Sequence, residues 1–168
     1  FINHIDFLNF FGAKVIGGAE VGNSIHGQYN IPLSNRESAN NEYWKALNTK
    51  KIWVGTKKMD GIDWCRAQAI LNAPVADIRN IIEDKKNYPN VFKRIEKTQI
   101  ITDEIVYIAL DMPFPFAGRD YVVKYTPHHT DTSFVYRFYS VVYQNAPSYK
   151  KYIRLPRSTG EWRLTAID

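Results

Sequence analysis

From residue 94 onward the chain is written almost entirely in a two-residue period. Six segments alternate apolar and polar side chains, at about 94–101, 104–112, 119–127, 133–143, 149–156 and 160–167. Alternation of this kind puts one set of side chains on each face of a sheet. The connections are too short for crossover helices, so the six segments predict an antiparallel meander. In 133–143, Phe134, Tyr136, Phe138 and Val142 share a face while Arg137 takes the other. In 160–167, Trp162, Leu164 and Ala166 oppose Glu161, Arg163 and Thr165. In 104–112, Val106, Ile108, Leu110 and Met112 share a side with Glu104; in 119–125, Tyr121, Val123 and Tyr125 share one with Arg119. The meander therefore has an aromatic and aliphatic inner face into which two charges are expected to point.

Such a face needs cover, and the preceding residues offer helices. In "SNRESANNEYWKALNTK", Ser34 and Glu37 have capping-box spacing, and Ala39, Tyr43 and Leu47 follow at helical intervals. A helix over about 35–48 is expected. Next, 51–59 and 62–71 flank Asp60–Gly61, a strong hairpin signal. Pro74 then fits a first helical position, Val75, Ile78, Ile81 and Ile82 form an apolar stripe, and Pro89 is expected to stop the helix. Residues 1–33 carry glycines at 12, 17, 18, 22 and 27 and read as a weakly structured leader, with a short helix over 4–11. The fold class is α+β.

Several function classes are disfavoured. The net charge of +5 comes from lysine pairs scattered among acids, which describes a solvated surface better than a nucleic-acid face. The single cysteine, Cys65, excludes an intrachain disulfide framework and a cysteine-ligated zinc site, and its strand-like context suits an inert thiol. His128 and His129 are adjacent on a strand and diverge, so a metal site is not expected. No Gly-rich loop opens a helix and no serine sits in an elbow motif, so no cofactor is expected. No apolar run reaches transmembrane length. Phe1 is not a native start and "FLNFFGAKVIGGA" has no basic residues before it, so the compartment stays open. Eleven tyrosines and nine phenylalanines exceed what a minimal core needs, which fits a lined cavity or a Tyr-rich sheet equally. Inward charges tip the balance toward a cavity, because a dry core rarely accepts unpaired ions.

The segments "NAPVADIRNIIEDKKNYPNVFKRIEKTQII", "YIALDMPFPFAGRDYVV" and "YIRLPRSTGEWRLT" together resemble the START (steroidogenic acute regulatory protein-related lipid transfer) family. That family belongs to the helix-grip superfamily, with the major birch pollen allergen and the polyketide cyclases. The resemblance runs over 34–168 and implies a curved antiparallel sheet, N-terminal helices and a gripping C-terminal helix around one lipid or sterol-sized molecule. The chain stops at Asp168, before that last helix, so the domain is expected to be incomplete. The implied function is non-catalytic lipid binding and transfer by a monomer, with a cyclase-like enzyme or a protein-interaction module as alternatives. Expected ligand contacts are Glu104, Val106, Ile108, Leu110, Tyr121, Val123, Tyr125, Tyr136, Phe138 and Trp162. Glu104, Tyr107 and Tyr125 would be the acid–base candidates of an enzyme. Some family members pair an acid and an arginine inside the tunnel; Tyr125 stands at the arginine's place here, so Glu104 is expected to hydrogen-bond Tyr125 instead. Arg119 and Asp120 point to opposite faces, and Arg119 is expected to anchor the Pro-rich corner through Asp111 or turn carbonyls. Phe114 and Phe116 flank Pro115 in a short turn and cannot easily both be buried, which marks them for transient membrane contact.

Overall fold

The computed structural model describes residues 2–11, 44–49, 52–59, 62–129 and 133–167. Its elements run β1 (Ile2–Phe11), β2 (Lys45–Thr49), β3 (Trp53–Met59), β4 (Ile62–Leu71), α1 (Val75–Glu83), α2 (Tyr88–Val91), β5 (Ile95–Ile100), β6 (Ile105–Leu110), β7 (Gly118–His129), β8 (Ser133–Ser140), β9 (Tyr152–Arg154) and β10 (Ser158–Ile167). One turn of 3-10 helix, Lys85–Asn87, joins α1 to α2. Ten strands form one sheet in the order β2-β3-β4-β1-β10-β8-β7-β6-β5, with β9 beside β7. The α+β class holds.

The meander is present as β5, β6, β7, β8 and β10, all antiparallel neighbours. The β3–β4 hairpin closes at Met59 and Ile62, as the Asp-Gly signal requires. β9 departs from the expected pattern because it pairs parallel to β7, Gly118 with Tyr152 through Asp120 with Arg154. The reason lies in β8, which leaves the sheet after Ser140. The first residues of β7 would then lack a partner on that side, and β9 supplies one. Val142, expected inward, lies beyond the end of β8 and is fully exposed.

Three helical expectations fall on other structure. Residues 4–11 belong to strand β1, not a helix, and so lie within a formed element of the expected leader. Ile2, Ile5, Phe7, Phe10 and Phe11 favour strand, and β1 pairs antiparallel with β10 on one side and β4 on the other. A short isolated helix has no such partners. The C-terminal part of the expected 35–48 helix is strand β2, paired with β3. The Ser34–Glu37 cap and residues 12–43 lie outside the described residues. Pro89 does not end α1. The helix stops at Glu83, and Pro89 sits in the first turn of α2, where its missing N–H costs nothing.

Helix α1 packs against β10 on the inner face. Its stripe is narrower than expected: Ile78 and Ile82 are buried, Val75 is half-buried and Ile81 is exposed. Each buried isoleucine contributes roughly 1.5–3 kcal/mol. On the opposite face, Tyr107, Ala109 and Val122 form a second, smaller core beneath Val141, Tyr143, Ala146 and Tyr152. None of the described helices is long and apolar enough to cross a membrane.

Candidate functional site

Alternation along β6, β7 and β8 brings Val106, Ile108, Leu110, Tyr121, Val123, Tyr125, Tyr136 and Phe138 onto one face. All eight are buried in a single cluster with Phe134, Leu164, Ile78, Ile82 and Tyr88, and Trp162 packs half-buried against it. Trp162 meets Phe92 with ring centroids 5.6 Å apart. The phenol groups of this cluster are organised rather than scattered. The Tyr88 hydroxyl donates to the Ile82 carbonyl at 2.5 Å, and the Tyr125 ring stacks on Tyr136 with centroids 4.9 Å apart. Burial pushes the Tyr88 phenol well above its ordinary value, and a hydrogen bond with Tyr125 pulls partly against it. Burial also raises Tyr121 and Tyr125. All three stay protonated at neutral pH.

Two members of the site were not singled out from sequence. Tyr88 stands before Pro89, at the start of a helix too short to show a period. Lys85 is one of a lysine pair with nothing in its neighbours to distinguish it, yet its ammonium donates to the Tyr136 hydroxyl at 2.6 Å. It also lies 5.3 Å from the Tyr125 ring centroid and 5.2 Å from that of Tyr136, within cation–π range.

Of the two charges expected inward, Glu104 is not there. Glu104 is exposed and pairs with Lys124 at 2.9 Å, and that hydrogen bond raises the Lys124 ammonium. Strand parity fails at Glu104 because β6 begins one residue later. Thr102 Oγ1 accepts from the backbone N–H of Glu104 and Ile105, at 3.3 and 3.0 Å, and bends the chain there. The link to Tyr125 is backbone only, from its N–H to the Glu104 carbonyl at 2.8 Å. Arg119 is half-buried at the start of β7 and donates to the Ala117 and Gly118 carbonyls, at 2.5 and 3.4 Å. Asp111 pairs with Arg94 instead, at 3.9 Å.

Asp120 turns to the outer face, where Arg154 grips both carboxylate oxygens at 2.7 and 3.1 Å. Tyr107 lies in the same outer core, with its hydroxyl buried and without a hydrogen-bond partner among the described residues. Burial and the nearby Asp120 push its ionisation up. Tyr107 and Tyr125 are therefore on opposite faces, and Glu104 is at the surface. At the Pro-rich corner, Phe114 is 98% exposed and Phe116 60%. The Phe114–Pro115 peptide is cis, and the turn closes through Phe116 N–H to the Pro113 carbonyl at 3.0 Å. Cys65 is half-buried, and burial raises its thiol, in keeping with an unreactive group.

This architecture has solved counterparts. A STAR-related lipid transfer protein from Xanthomonas axonopodis superposes with TM-score 0.56 at 16% identity, covering 75% of this chain and 82% of its own. Human STARD10 superposes with TM-score 0.59 at 14% identity, covering 84% and 67%. The chain has the START-like, helix-grip fold. No protein-family profile matches it. An uncharacterized protein of Pseudomonas aeruginosa is 27% identical over 130 residues, 73% of this chain and 64% of that protein. An inosose dehydratase of Clostridium perfringens is 50% identical over 48 residues, 28% of this chain and 16% of the enzyme. The chain thus spans less than two thirds of either relative.

Proposed function

We propose that this START-like domain binds one hydrophobic molecule, a lipid or sterol-like compound, against the inner face of the sheet, and passes it to and from membranes. One observation carries this reading: a broad aromatic face bearing phenol hydroxyls, set against a short helix. The nine residues of α1 make about 14 Å, enough to cross about three strands at ~4.8 Å spacing. A face of this breadth suits a mostly apolar guest oriented by few polar groups. The lipid transfer proteins that share the fold support the same reading.

An enzyme is the weaker alternative. Glu104, Tyr107 and Tyr125 sit at the surface, on the outer face and on the inner face, so they do not converge on a reacting group. The exposed Phe114 and Phe116 are proposed to enter the membrane interface during exchange. Native mass spectrometry of the purified chain, before and after delipidation and incubation with mixed lipids, tests the binding. A single lipid-sized mass increment is expected. A folded protein that stays empty under all conditions overturns the proposal.

A further inference from the structure

We infer that Lys85 and Tyr136 form a head-group site for an oxyanion, so that the ligand is an acidic amphiphile rather than a neutral lipid. This rests on the hydrophobic-ligand reading above and narrows its chemistry. The partly buried arginines Arg79, Arg137 and Arg163 each meet a carboxylate, of Glu83 or Glu161, and Arg119 meets the Ala117 and Gly118 carbonyls. Lys85 meets no carboxylate among the described residues. Its one hydrogen-bond partner among them is the Tyr136 hydroxyl, and it also lies over the ring faces of Tyr125 and Tyr136. An ammonium has three donors and no acceptor, so two have no partner among the described residues.

Tyr136 adds a further donor. Its oxygen accepts from Lys85 at 2.6 Å, which leaves its own O–H proton to donate. No described group accepts that proton, although Tyr136 is only 4% exposed. Lys85 N–H and Tyr136 O–H donors thus lie side by side at the apolar cluster, with no further acceptor for them among the described residues. Such a pair is matched by an ionised oxygen, whose charge-assisted hydrogen bonds are about twice as strong as neutral ones. Lys97 makes a similar contact with Tyr149, but that tyrosine lies outside the inner-face cluster and is far more exposed. Among the described lysine–tyrosine pairs, only that of Lys85 borders the proposed tail site.

Isothermal titration of the chain with hexadecanoate, hexadecyl phosphate and hexadecanol tests this. At least one of the two acids is expected to bind about tenfold more tightly than the alcohol, in line with the loss of about one charge-assisted bond. The better acid identifies the head as carboxylate or phosphate. Lys85→Met, which keeps the apolar stem, should erase most of the preference for acid over alcohol. Tyr136→Phe, which keeps the ring, should reduce the preference less. Acids and alcohol binding equally, or Lys85→Met leaving the preference intact, would overturn the oxyanion site while sparing the hydrophobic-ligand proposal. Failure of all three probes to bind overturns both.

Discussion

Asp120 and Glu104 are acids sixteen positions apart with opposite surroundings, and the difference sets what each substitution does. Asp120 is buried and held by two bonds from Arg154. Replacing it with Ala strands a guanidinium that also donates to the Pro147 carbonyl. Arg154 is partly exposed and can rehydrate, so the expected cost is about 2–3 kcal/mol, below that of a fully buried pair. A urea unfolding midpoint measures it, and an unchanged midpoint would show the pair to be dispensable. Glu104→Gln breaks only a pair in water, so both the midpoint and the ligand affinity should match wild type. Strand parity separates Arg119 from Asp120 in the sequence alone. The partner of Asp120 was not legible, because Arg154 lies far along the chain and reaches it only through β9. Glu104 misled for a local reason: the Thr102 bend shifts the start of β6, and parity has no meaning before a strand begins.

At the scale of elements, Gly118 sets how closely β9 can approach. A Cβ there would lie 2.6 Å from Tyr152 Cδ1 and 2.9 Å from the Leu110 carbonyl oxygen. The carbonyl belongs to the β6 backbone and cannot step aside. Gly118→Ala should therefore loosen the Tyr152–Arg154 pairing at a cost of roughly 1–3 kcal/mol, read as faster amide exchange at Gly118–Asp120 than in β8. The neighbouring corner should behave oppositely. Phe114→Ser with Phe116→Ser removes exposed rings, so stability should stay within about 0.5 kcal/mol. Transfer between lipid vesicles should slow; an unchanged rate would remove the membrane role. The meander, the β3–β4 hairpin and α1 were legible because their periods run long enough to exclude the alternative. β2 was not, since "EYWKAL" fits helical spacing equally well. An edge position beside β3 decided it, and that is tertiary information.

The whole molecule couples its tyrosines to pH. Tyr88, Tyr121 and Tyr125 are all raised by burial in one cluster. Up to about pH 10, the ordinary tyrosine value, folded and unfolded chains keep these protons equally. Above it the unfolded chain releases them first, so stability falls as pH rises toward the raised folded values. Phenolate absorbance should climb first from the exposed tyrosines, then jump cooperatively as the sheet opens; a smooth single titration would contradict the buried cluster. Global topology was the least legible scale. Local pattern predicts neighbours in sequence, whereas β1 lies between β4 and β10, which do not pair with each other. In register, Ile2 pairs with Ile167 and Phe11 with Ser158. On the ribosome, then, β1 emerges well before its partner β10. At about 5–20 residues per second, roughly ten to thirty seconds pass in which β1 has no β10 to pair with. Throughout that interval one edge of β1 stays open, and a chaperone that guards nascent chains has its clearest task there.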